Sequence, residues 1–154
     1  MSGILLNGLS LIAVGLYGLA AVQDLRYRRI ANRLCLGILM LGVARWGVIA
    51  DPAAAGEAVL AAALAFGVGA VLHARGYVGG GDVKLLTASI LLVGAAAALP
   101  LIVAMALVGG VLSLALLAFE RFRRAASSAR AAPTVPYGVA IGAAAAWVLF
   151  LQLS

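Results

Sequence analysis

The residues best able to do chemistry in this chain are two aspartates, Asp24 and Asp82, the second closing the run Gly79-Gly80-Gly81-Asp82. Two carboxylates held close together cannot both ionise easily, so one of them keeps a proton. The ionised partner can take a proton from water, and the protonated one can give a proton to a peptide carbonyl. That pair is enough to hydrolyse a peptide bond without a metal or a covalent nucleophile. Each aspartate also has a plainer reading on its own. Asp82 suits a helix N-cap behind a flexible glycine turn. Asp24 suits an interfacial charge offsetting Arg26, Arg28 and Arg29, and surface pairs of that kind are worth little. The case for chemistry therefore rests on the two residues sharing one face. A phosphate-binding loop is a poor reading of the glycines, because the Walker spacing and a preceding strand are both missing.

The elements that must position this pair are apolar helices. The chain is 66% hydrophobic and only 10% charged, where a soluble domain carries roughly 25% charged residues. The reading is an all-α integral membrane bundle forming a single domain over residues 1–154, with no room for a separate soluble domain. Apolar runs cover Ile4–Val22, Leu34–Ala50, Ala53–His73, Val83–Leu99, Leu101–Phe119 and Val135–Leu153. Six transmembrane helices are predicted. Asp51-Pro52 breaks the chain after the second run, and Pro100 is expected to separate the fourth from the fifth. The first run lacks a preceding basic region and a short cleavable pattern, so it is expected to be retained as a helix.

Charge placement orients the bundle. Of eleven positive residues, ten fall at loops one, three and five: Arg26, Arg28, Arg29 and Arg33, then Arg75 and Lys84, then Arg121, Arg123, Arg124 and Arg130. Only Arg45 falls near the second loop. The positive-inside rule makes the odd loops cytoplasmic, in a plasma (inner) membrane, and puts both termini outside. Asp24, at the end of helix 1, and Asp82, at the start of helix 4, then lie together on the cytoplasmic side. Acidic residues at a bilayer boundary are costly enough to suggest function. The basic residues form short clusters between apolar runs, not the face or stripe that nucleic-acid binding needs. The single cysteine, Cys35, forms no internal disulfide and reads as a small core residue, and no Cys/His cluster offers a structural zinc site.

Three segments together resemble the type IV prepilin peptidases, membrane aspartyl proteases of the Gly-x-Gly-Asp class. The likeness is greatest to the minimal forms that accompany tight-adherence (Flp-type) pili. The first segment is Asp24 followed by Arg29-Ile30-Ala31-Asn32, where the family usually has Arg-Ile-Pro-Asn. The second is Gly79-Gly80-Gly81-Asp82-Val83-Lys84, similar to Gly-x-Gly-Asp-x-Lys at every fixed position. The third is Pro136-Tyr137-Gly138-Val139-Ala140-Ile141, similar to a Pro-Tyr/Phe-Gly-x-x-Ile segment near the last helix. The resemblance implies that Asp24 and Asp82 are the catalytic pair and that Gly79, Gly81, Lys84, Asn32, Pro136 and Tyr137 bind substrate or support the site. It implies a prepilin or pseudopilin substrate, cut in its leader on the cytoplasmic side just ahead of an apolar helix. It implies no metal and no organic cofactor. Larger members also N-methylate the new terminus and carry paired Cys-x-x-Cys motifs. One cysteine and no such insertion argue against that second activity here.

The supporting residues keep open roles at this level. Asn32 is expected to cap helix 2. Lys84 could orient substrate or lower an aspartate pKa, or it could snorkel to headgroups. Tyr137 could bond near the site or belong to an interfacial aromatic belt. His73 reads as structural, and Trp46 and Trp147 as helix-end anchors. Two other functions stay in view. One is the same chemistry on another substrate, as in archaeal preflagellin peptidases or presenilin-like proteases; Gln23 ahead of Asp24 disfavours the presenilin branch. The other is a small proton- or cation-coupled transporter, which would place a carboxylate deeper in the span and show an inverted repeat. The bilayer is a partner in every reading, and an oligomer is possible.

Overall fold

The structure is a computed structural model, and it describes residues 2–27, 29–124 and 137–153. The described residues form six helices: α1 (Ser2–Tyr27), α2 (Asn32–Ile49), α3 (Pro52–Ala74), α4 (Gly80–Val93), α5 (Ala95–Arg124) and α6 (Tyr137–Leu153). In lipid, every backbone group needs a partner within its own segment, and an apolar sequence of this kind meets that need as helix. Four of the six, α1, α2, α3 and α5, are long and apolar enough to cross a membrane.

Helix α4 is the centre of the bundle. It has 14 residues, and Val83, Leu85 and every residue from Ala88 to Val93 are buried. At 1.5 Å per residue it rises about 21 Å, short of the roughly 30 Å of a hydrocarbon core. A helix that is apolar all round belongs inside a bundle, and α4 packs on α2, α3, α5 and α6. Small residues allow close approach of the backbones. A Cβ on Gly42 of α2 would lie 3.2 Å from the Leu92 nitrogen of α4, and one on Gly142 of α6 would lie 3.4 Å from the Tyr17 carbonyl of α1. The Tyr17 hydroxyl donates to Ser89 Oγ at 2.9 Å, tying α1 to α4 within the core.

The end of α4 departs from the sequence expectation. The fourth run was expected to continue to Leu99 and break at Pro100. The break instead falls at Gly94, and Pro100 lies inside α5. Gly94 has φ 93° and ψ 166°, a conformation essentially confined to glycine. A side chain there would also meet the Trp46 ring at 2.9 Å. The last carbonyls of α4 find donors on neighbouring helices: Trp46 Nε1 donates to Leu91 O at 2.7 Å, and Gln152 Nε2 to Val93 O at 2.9 Å. Trp46, near the end of α2, therefore caps a buried helix end. Trp147, the other expected anchor, lies within α6, away from its ends, and is exposed.

Arg45 belongs to the same polar cluster. It is buried, with Nη1 donating to Ser10 Oγ at 3.3 Å and Nη2 to Gln152 Oε1 at 2.9 Å. Its charge stands near the C-terminus of α4, where the helix dipole favours a cation. Cys35 is buried in the apolar core, as expected.

Candidate active site

The opposite end of the bundle gathers the last turn of α1, the connection into α2, the α3–α4 loop and the start of α6. Asp24 lies in the last turn of α1 and is 7% exposed. Its Oδ2 accepts the backbone N–H of Gly138 at 2.8 Å. Gly138 is the second residue of α6, so this N–H is one of the orphan donors every helix start leaves over, and it carries the positive end of the helix dipole. The approach needs glycine. A Cβ on Gly138 would lie 2.9 Å from Asp24 Oδ2 and 2.9 Å from Ile30 Cδ1.

Asp82 is the third residue of α4. The N-cap is Gly79, with no side-chain cap bond, so the expectation of Asp82 as N-cap fails. Gly79 lets the carboxylate fold back on the turn, since a Cβ there would stand 2.7 Å from Asp82 Oδ2. Gly81 packs against Ile30, linking the glycine turn to the connection into α2. Asp82 precedes the apolar part of α4 and lies outside the four helices long and apolar enough to cross a membrane. Its carboxyl is pushed up to about 6, first by burial and then by the charge of Asp24.

Asp24 and Asp82 line a single cavity of about 970 Å³. One wall is a face of α3 with Ala65, Val68, Gly69 and Leu72, at helical spacing. The facing wall is Ile102 and Met105 of α5. The cavity is thus mainly apolar, with the two carboxylates among its few polar groups, the usual character of a ligand site.

The remaining sequence candidates divide. Gly79 and Tyr137 line the cavity, and Tyr137 opens α6 with its side chain half exposed. Pro136 lies outside the described residues. Asn32 and Lys84 line no part of the cavity; they bond to each other, Lys84 Nζ donating to Asn32 Oδ1 at 3.0 Å. Asn32 is also not the cap of α2. That position is Ala31, without a side-chain cap bond. The Ala31 N–H instead donates to Gln23 Oε1 at 3.2 Å, holding the turn beside Asp24.

Two contributors, Gln23 and His73, escape a reading of sequence patterns, and Gly138, part of the third resembling segment, has a role no spacing announces. Gln23 and Gly138 act through single hydrogen bonds. His73, read from the sequence as structural, lines the cavity with both aspartates. Its separation from Asp82 fits no ligand or catalytic pattern, and only the fold brings the two together. Among the described residues, no group of three or more His, Cys, Asp or Glu side chains is assembled as a metal site.

Residues 11–114, more than half of the chain, match the model of the type IV leader peptidase family. That span contains Asp24, Asp82 and most of the cavity wall. No curated protein and no solved structure matches the chain.

Proposed function

This chain belongs to the type IV leader peptidase family, and on that premise we propose that it is a membrane aspartyl endopeptidase removing the N-terminal leader of prepilin or pseudopilin substrates at the cytoplasmic face. The observation that carries the reading is the meeting of Asp24 and Asp82 at one apolar cavity, with the Gly138 N–H bound to Asp24. Asp24, held by the Gly138 N–H, is the base, the role left to it once Asp82 serves as the acid. Burial and the neighbouring charge favour the protonated form of Asp82, which makes Asp82 the acid.

The reaction follows from those two states. A water between the carboxyls gives a proton to Asp24 as its oxygen adds to the scissile carbonyl carbon. Asp82 gives its proton to the carbonyl oxygen, forming a neutral diol. The carbon–nitrogen bond then breaks as Asp24 passes its proton to the leaving nitrogen, and one diol hydroxyl returns a proton to Asp82. Both carboxyls end in their starting states. The apolar faces of α3 and α5 suit a substrate whose cleavage site adjoins a hydrophobic helix. The basic loops, with ten of eleven positive residues on the side of the two aspartates, support the cytoplasmic assignment.

The test is cleavage in detergent or lipid of a synthetic peptide with a basic leader ending in glycine, followed by an apolar stretch of about 20 residues. The wild type is expected to release the leader. Asp24→Asn and Asp82→Asn are each expected to abolish cleavage while inserting normally. Full activity in either variant would end the two-aspartate mechanism.

A further inference from the structure

We propose that His73 is a positioning residue that fixes the glycine loop carrying Asp82. Its effect on activity rests on the peptidase reading above, whereas its effect on the loop does not. The α3–α4 connection needs some such device. Gly76 adopts φ 77°, the left-handed position at which helices commonly end. Tyr77 N–H bonds to Leu72 O at 3.0 Å and Gly76 N–H to His73 O at 2.9 Å, the pair of bonds that defines a Schellman ending. These hold the chain as far as Tyr77. Gly79, Gly80 and Gly81 begin two residues on, and glycine is the residue with the most backbone freedom to lose. Between the two stretches stands Val78, whose carbonyl lies 2.9 Å from His73 Nδ1. A carbonyl only accepts, so Nδ1 carries the proton and donates it. That bond ties the residue just ahead of the Gly79 N-cap to the last turn of α3.

The ring does a second thing. A Cβ on Gly80 would lie 3.1 Å from His73 Nε2 and 3.2 Å from Cε1. The imidazole therefore lies against the backbone of the glycine two residues before Asp82. His73 and Gly80 form a matched pair: the ring fills the space a side chain at position 80 would take, and the bare glycine lets the ring reach the Val78 carbonyl. The same ring lines the cavity with Asp24 and Asp82. His73 thus holds the turn ahead of Asp82 through one hydrogen bond and one close contact, beside the packing of Gly81 on Ile30. Small displacements of a catalytic group are expensive: about 1 Å can cost roughly a hundredfold in rate.

Three variants of the full chain test this. His73→Ala removes both the donor and the ring. His73→Asn keeps an amide nitrogen at the position of Nδ1 and so keeps the donor. His73→Asn/Gly80→Ala adds a methyl into the space the shorter side chain leaves. On the leader peptide described above, His73→Ala is expected to lower kcat about tenfold or more with KM within about twofold. His73→Asn is expected to recover most of that loss. Gly80→Ala alone is expected to be impaired, and the double variant to be more active than Gly80→Ala. Hydrogen exchange of the same proteins in lipid reads the loop directly. Amides of residues 77–83 should exchange faster in His73→Ala than in wild type and should be restored in His73→Asn. Wild-type rates in His73→Ala, or unchanged exchange in that segment, would overturn the proposal. Failure of the wild type to cleave would refute the peptidase reading instead, and exchange alone would then decide the role of His73.

Discussion

Replacement of Gly138 by alanine probes the site most directly, because it changes one methyl and no charge. The new Cβ would stand 2.9 Å from Asp24 Oδ2, 3.1 Å from Asp24 Cβ and 2.9 Å from Ile30 Cδ1. Contacts under 3.0 Å force a shift, and the side-chain ends of Asp24 and Ile30 are what must move. The 2.8 Å bond from the Gly138 N–H would lengthen or break. A hydrogen bond to a charged group contributes about 1.5–3 kcal/mol, which corresponds to a factor of roughly 10 to 150. Displacement of the carboxylate adds a loss of the same order. Gly138→Ala is therefore expected to lower kcat/KM on a leader peptide by about a hundredfold. The matched control is Gly110→Ala on α5, where a Cβ would meet nothing within 4 Å; it should keep wild-type activity. Both variants should insert and purify like the wild type. If Gly138→Ala cleaves within about threefold of the control, the backbone N–H does not hold Asp24 in its working state.

Two further outcomes follow from the same geometry. Asp82 is raised to about 6 by burial and by Asp24; an acid must be protonated to act, so kcat should fall as pH rises through about 6, and a rate flat from about pH 5 to 8 would remove Asp82 from that role. Gly94→Ala forces a side chain into φ 93° and against the Trp46 ring, costing about 1–3 kcal/mol for the backbone alone. Its thermal unfolding midpoint in detergent should therefore drop clearly, and an unchanged midpoint would mean that α4 can end in another way.

Composition and charge order determined much of this protein. An apolar chain with so few charges has to satisfy its backbone internally, and helices do so within each run. The runs around Asp24 and ahead of Asp82 were long enough, and the positive residues sufficiently one-sided, to put both carboxylates at one end of a helical bundle. The glycines before Asp82 announced a turn and a close approach. None of this required knowledge of which helix touches which.

Tertiary contacts decided the rest. The break at Gly94 was hidden because Pro100 is the louder punctuation in sequence. Glycine broke the helix there because Trp46 and Gln152, on α2 and α6, supply the donors that let α4 end inside the bundle. Asn32 reads as a cap, yet it bonds Lys84, because the α2–α4 approach brings a stronger partner than its own helix start. Arg45 reads as a charge of the second helix counted with the loop after it, and it is buried, because Ser10 and Gln152 stand beside it only after α1, α2 and α6 have packed. The same holds for the bond from Gly138 to Asp24. Sequence periodicity specifies how each helix forms and which residues it carries. It is silent on single hydrogen bonds between residues distant in the chain, such as the one by which Gly138 holds the Asp24 carboxylate.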